Sequence, residues 1–129
     1  MYEIKINSTK EREVIDITNL VNDLIQKAGA RSGVCNIFIS HTTAALATAD
    51  MDPETENDYL NAFEEMVPKL VFHHEHDPSH MPDHILSTLI GTNISIPHDN
   101  GGLLLGQWQK IILFEFNGPR ERKVFINIL

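Results

Sequence analysis

The sequence predicts an α+β domain, with a mostly antiparallel, β-sandwich-like core and two or three helices packed on it. Three observations lead there. Seven or eight short runs are alternating or apolar throughout and are separated by turn residues, as strands of a half-buried or inner sheet would be. Only two or three segments carry helical spacing or helix-start residues. No repeat, low-complexity tract or linker divides the chain, so residues 1–129 are expected to form one domain.

Tyr2 to Ser8 alternates, with Tyr2, Ile4 and Ile6 on one face and Glu3, Lys5 and Asn7 on the other. Thr9 to Arg12 fits a hairpin turn into a second strand, Glu13 to Ile17. Thr18 is placed to cap a helix in which Leu20, Val21, Leu24, Ile25 and Ala28 recur at helical spacing before Gly29 stops it. Val34 to Ser40 is apolar on both faces, like an inner strand, and delivers the chain to His41-Thr42-Thr43. Asp52-Pro53-Glu54 reads as a helix start, with the helix running to about Pro68. Leu70 to Asp83 shows no clear periodicity and is expected to be an ordered loop. Pro82 to Leu86 opens a short helix ending near Gly91, and Asn93 to Ile96 is a strand closed by Pro97. The remainder is β-rich: a turn at Asp99 to Gly102, strands at Leu103 to Leu105 and Gln109 to Phe116, a turn at Asn117 to Pro119, and a last strand, Lys123 to Leu129.

Composition narrows the function. Hydrophobic residues are 42% and charged residues 22% of 129, a globular profile in which a core can form without disulfides or a structural metal. Cys35 is the only cysteine and lies in an apolar run, which suits a buried thiol in a reducing compartment. No stretch approaches the ~18 apolar residues of a membrane span. The first residues lack a signal-peptide pattern, so a cytoplasmic location is expected. A formal charge of −8 repels a phosphate backbone, which argues against nucleic acid as a partner. A phosphorylated small molecule would need a local site that reverses this field.

His73, His74, His76, His80 and His84 put five of the seven histidines within twelve residues. Imidazole is the commonest ligand for zinc-like metals, and a catalytic site takes three protein ligands and leaves one position open. The i, i+4 pairs His76/His80 and His80/His84 are interrupted by Pro78 and Pro82, so they do not share one continuous helix. His84 falls in the first turn of its helix, where its ring can be aimed; a solvated histidine loop is the alternative. His41 sits where a rigid strand hands over to a loop, as a site residue or as a structural histidine. Thr42 and Thr43 offer hydroxyls and N–H groups to an anion. Arg120 and Arg122 point the same way if the last strand begins there, giving two guanidiniums for a phosphate or simply a solvated strand end. Trp108, the single tryptophan, reads most simply as core.

Taken in order, Ile39-Ser40-His41-Thr42-Thr43-Ala44-Ala45-Leu46, Asp52-Pro53, Met81-Pro82-Asp83-His84-Ile85, Ile96-Pro97, Gly101 through Leu105-Gly106-Gln107-Trp108-Gln109, Glu115 and Pro119-Arg120-Glu121-Arg122 resemble the YjbQ family over about the whole chain. The resemblance implies an α+β fold, a homotrimer and a site using His41 and His84, with His74 as third metal ligand. It also implies a divalent metal, zinc or magnesium, and a secondary thiamine-phosphate synthase activity that joins a pyrimidine methyl diphosphate to a thiazole phosphate. In that scheme the metal at His41, His74 and His84 neutralises the diphosphate, Arg120 and Arg122 hold phosphate oxygens, and Thr42 and Thr43 add hydrogen bonds. The acidic segment after the histidine string is one residue shorter here and leaves Asp50 as its carboxylate, while Gln107 replaces the family's usual threonine. Two alternatives stand beside it: a metal-assisted hydrolase with Asp50 or Asp52 as base, and a non-catalytic protein that binds a metal or a phosphorylated metabolite.

Overall fold

The computed structural model describes residues 1–129. Its strands and helices follow one another as β1 (Tyr2–Asn7), β2 (Glu13–Asp16), α1 (Thr18–Ala28), β3 (Ser32–Ile39), β4 (Ala44–Ala49), α2 (Thr55–Met66), α3 (Met81–Ile90), β5 (Asn93–Asp99), β6 (Gly102–Leu103), β7 (Lys110–Glu115) and β8 (Glu121–Ile128), with a single 3₁₀ turn at Pro78–His80 leading into α3. Two sheets, both antiparallel, are formed. The larger runs β1-β8-β3-β5-β6 and the smaller β2-β7-β4.

The predicted α+β class is the observed one. Ile6, Cys35, Ile37, Ile39, Val124 and Ile126 from the larger sheet meet Ala44, Leu46, Ile111 and Leu113 from the smaller one, and Val21 and Ile25 of α1 join the same core. On its other face the smaller sheet carries Ala45, Ile112, Phe114 and Phe116 against Tyr59 and Phe63 of α2 and Leu86 of α3. The run Ile111-Ile112-Leu113-Phe114 is buried throughout because β7 lies in the middle of its sheet and is covered on both sides. Cys35 is buried as expected, and desolvation pushes its thiol up to about 11, far from the reactive range.

Several local expectations shift. Thr18 is the first residue of α1 and does not cap it: its hydroxyl donates to Asp16 Oδ1 at 2.6 Å and accepts the Ile111 N–H at 2.8 Å, so it ties the helix to β7. Gly29 does end that helix, at φ 64°. Helix α2 begins at Thr55, after the Asp52-Pro53-Glu54 segment, which forms a turn closed by the Thr55 N–H on the Asp52 carbonyl at 3.0 Å. β5 passes through Pro97 to Asp99. β4 occupies Ala44–Ala49, where the sequence predicts a loop after His41, and its alanines carry little β-propensity. Small side chains are what its position demands, pressed between the core and the helices. Trp108 is 67% exposed and is not core.

Candidate functional site

The site grows from the place where the chain leaves the larger sheet for the smaller one. β3 ends at Ile39, residues 40–43 cross the open edge of the sandwich, and β4 begins at Ala44. His41 is held there by the Lys123 backbone N–H, which donates to its Nε2 at 2.9 Å. A ring nitrogen that accepts is unprotonated, so the neutral ring carries its hydrogen on Nδ1. Burial and the nearby Arg122 hold His41 below the ordinary imidazole value, with Arg120 and Lys123 acting in the same direction and Glu115 opposing.

His84 is brought in by α3. Its Nδ1 lies 3.0 Å from the Thr42 carbonyl, which can only accept, so Nδ1 carries the hydrogen and Nε2 keeps a free lone pair. α3 is pinned to β4 by the Ser87 hydroxyl, buried and donating to the Ala44 carbonyl at 2.6 Å. His74 stacks on His84 with ring centroids 4.8 Å apart, and its Nδ1 accepts the Asp77 N–H at 3.1 Å, which places its hydrogen on Nε2. The segment that carries His74 is braced at His80, whose ring lies between Asp77 at 3.2 Å and Asp83 at 3.0 Å, while Asp83 also meets Arg12 at 3.0 Å.

Beneath these rings lies a buried charged pair. Arg122 gives its Nε to the Glu115 carboxylate and its Nη2 to Glu115 Oε2, the Thr43 hydroxyl and the Thr43 carbonyl. Ser8 donates to the same carboxylate at 2.5 Å. Burial alone would raise Glu115, but hydrogen bonds from Arg122 and Ser8 and the Arg122 charge outweigh it and hold the carboxyl below its ordinary value. Nη1 is therefore the one nitrogen of the Arg122 guanidinium with no protein partner. Arg120 is exposed, with only its Nε engaged, to the Asn117 carbonyl at 2.8 Å.

These groups line one cavity of about 530 Å³ with no apolar residue in its wall. His41, Thr42, Thr43, His74, His84, Arg120 and Arg122 all border it, joined by His76, Asp77, His80, Asn117 and Glu121. The sequence reading thus brought together seven residues that do meet. The Thr43 hydroxyl oxygen accepts from Arg122 Nη2 at 2.9 Å, which leaves its O–H as the group it can donate. Asp50 is elsewhere: it borders a separate depression with Asp52 and Trp108, because β4 carries it away from the histidines along its length. His73 is exposed, and His98 is buried under the C-terminal strand with Nε2 3.2 Å from the Leu129 carbonyl. Glu115 and Ser8 were not singled out as site residues, although an acid inside the run Ile111 to Phe116 is a signal of buried pairing.

As a ligand set for zinc or magnesium, His41, His74 and His84 do not fit in this arrangement. Only His84 offers a lone pair to the cavity, while His41 and His74 have spent theirs on the Lys123 and Asp77 N–H groups and present N–H. No group of three or more His, Cys, Asp or Glu side chains is disposed to hold a metal ion.

Comparison with known proteins agrees with the fold. The family model described as UPF0047 protein YjbQ-like matches residues 2–129. The UPF0047 protein YugU of Bacillus subtilis is 35% identical over 98% of this chain and 96% of its own length, and a UPF0047 protein of Archaeoglobus fulgidus is 33% identical over 98% and 99%. Among solved structures, an uncharacterized conserved protein of Clostridium acetobutylicum superposes with a TM-score of 0.90 at 35% identity, covering both chains completely. A protein of unknown function from Sulfolobus solfataricus gives 0.90 at 30% identity over 97% of this chain and 92% of its own. The thiamine-phosphate synthase expectation is overturned at this point: these relatives are uncharacterised proteins or proteins of unknown function, and none brings that activity with it. No helix is long and apolar enough to cross a membrane.

Proposed function

The chain belongs to the UPF0047 YjbQ-like family, and on that premise we propose that its histidine and arginine cavity binds a phosphorylated small molecule through the phosphate. The observation that carries this reading is a concentration of hydrogen-bond donors. In a protein of net charge −8, one cavity without apolar lining gathers Arg120, the free Nη1 of Arg122, and the N–H groups of His41 and His74. Of the two acids at its border, Asp77 is engaged with Ser79 and His80, and Glu121 with Lys5 at 3.7 Å. The donors are left for a ligand. His84 Nε2 adds an acceptor that suits the P–OH of a phosphate monoanion.

The homotrimer and the cytoplasmic location belong to the same reading. Uncovered apolar side chains at Leu89, Leu104 and Trp108 support association, and the free, buried Cys35 suits a reducing compartment. Sedimentation equilibrium tests the first, with a single-chain mass at all concentrations rejecting it. Titration calorimetry with inorganic phosphate tests the site: millimolar or tighter binding is expected, weakened at least tenfold by Arg120→Ala and by His84→Ala. Wild-type protein that takes up no phosphate at 10 times that concentration, about 10 mM, would reject the reading.

A further inference from the structure

A second cavity, of about 720 Å³, has His41, Thr42 and His84 in common with the first, so the two adjoin. Its chemistry is different. No Asp, Glu, Lys or Arg borders it, and its wall is rich in hydroxyls. Two of these are spoken for: Ser87 donates to the Ala44 carbonyl and Thr88 to the His84 carbonyl at 2.9 Å. The hydroxyls of Ser40, Thr42 and Thr92 have no protein partner, and each can both donate and accept. Phe38, 41% exposed, supplies one apolar wall.

We propose that this second cavity receives the uncharged, hydroxylated body of a sugar phosphate whose phosphate group occupies the first cavity. The inference rests on the anion-binding reading and extends it to the substrate class. A charged body finds no counter-charge among these residues, and a purely apolar one strips water from three hydroxyls without replacing their hydrogen bonds. A polyol satisfies all three and lays its C–H face on Phe38. His84 borders both cavities and lies at the junction between the phosphate and the body.

Titration calorimetry on the intact protein with inorganic phosphate, ribose 5-phosphate, phenyl phosphate and free ribose tests this. Ribose 5-phosphate is expected to bind at least tenfold tighter than inorganic phosphate and phenyl phosphate. Thr92→Val and Ser40→Ala, both on accessible side chains, are each expected to reduce the ratio of ribose 5-phosphate to inorganic phosphate affinity at least threefold, with unchanged thermal melting showing that the fold is kept. Equal affinities for the three phosphates, a preference for phenyl phosphate, or a ratio that survives both substitutions would overturn the proposal while leaving phosphate binding in place. If none of the phosphates binds, the anion-binding reading falls and this inference falls with it.

Discussion

At the scale of single residues, the site is decided by which nitrogen of each imidazole holds a hydrogen. The neighbours require Nδ1–H for His41 and His84 and Nε2–H for His74. Long-range ¹⁵N NMR at pH 7.5 should therefore give one tautomer pattern for the first two rings and the opposite pattern for the third. A His41 spectrum of the Nε2–H form would contradict the donor arrangement on which anion binding depends. The second residue-scale prediction concerns Glu115, which is fully buried against Arg122. Glu115→Gln leaves a buried guanidinium without its counter-charge and should cost roughly 3–5 kcal/mol of unfolding free energy in a urea titration. A loss below 1 kcal/mol would mean the pair is far better solvated than its burial indicates. Such details lie beyond periodicity, because a histidine's tautomer depends on partners up to 82 residues away in the chain.

At the scale of elements, the site depends on two joins. One is β3 with β8, which sets Lys123 opposite the strand exit so that its N–H reaches His41. The far end of that pairing is closed by the Leu129 carbonyl, which accepts from the Val34 N–H, and Gly33 lies directly against it. A Cβ on Gly33 would sit 1.8 Å from that carbonyl oxygen, so the strand end must move. Gly33→Ala is expected to lower stability by about 1–3 kcal/mol, with faster hydrogen exchange at the Leu129 and Val34 amides. Unchanged exchange there would show that the contact yields freely. The second join is α3 on β4 through Ser87 and Ala44, which carries His84 to the Thr42 carbonyl. The sequence marked α3 within one residue of its start, since Pro82 suits the first turn and Gly91 follows the end. It did not mark β4, where packing between two layers overrides weak intrinsic preference.

For the whole molecule, acid stability follows from groups whose folded values are lowered. His41 is kept neutral in the fold and Glu115 is kept ionised, so in both cases the unfolded chain binds more protons over the relevant range. His41's contribution is present above its ordinary value of 6.5 and is lost as pH falls toward the lowered one. Glu115's contribution is present above 4.5 and is lost as pH falls through its folded value. Unfolding free energy should accordingly decline in two stages from pH 7.5 to pH 3, and His41→Gln should flatten the first. Stability at pH 5.5 equal to that at pH 7.5 would contradict the assignment of His41. Phosphate adds a separate effect: at 100 times its dissociation constant, a ligand of the folded state raises stability by about 2.7 kcal/mol.

The chain's own pattern of apolar and polar residues determined the α+β class and the start and stop of α3, because burial and helix ends leave local marks in composition. The joining of His41 with His84 came instead from the family resemblance, and β3, expected to be apolar on both faces, leaves Val34 and Phe38 exposed on one of them. Which hydroxyls and guanidinium nitrogens remain free was decided by tertiary structure alone. Most of Arg122 is consumed by Glu115 and Thr43, Asp50 is carried off along β4, and the hydroxyl-lined cavity is assembled from β3, the crossing segment and α3. Hydrogen-bond capacity is spent between residues distant in sequence, and only the folded chain shows what is left.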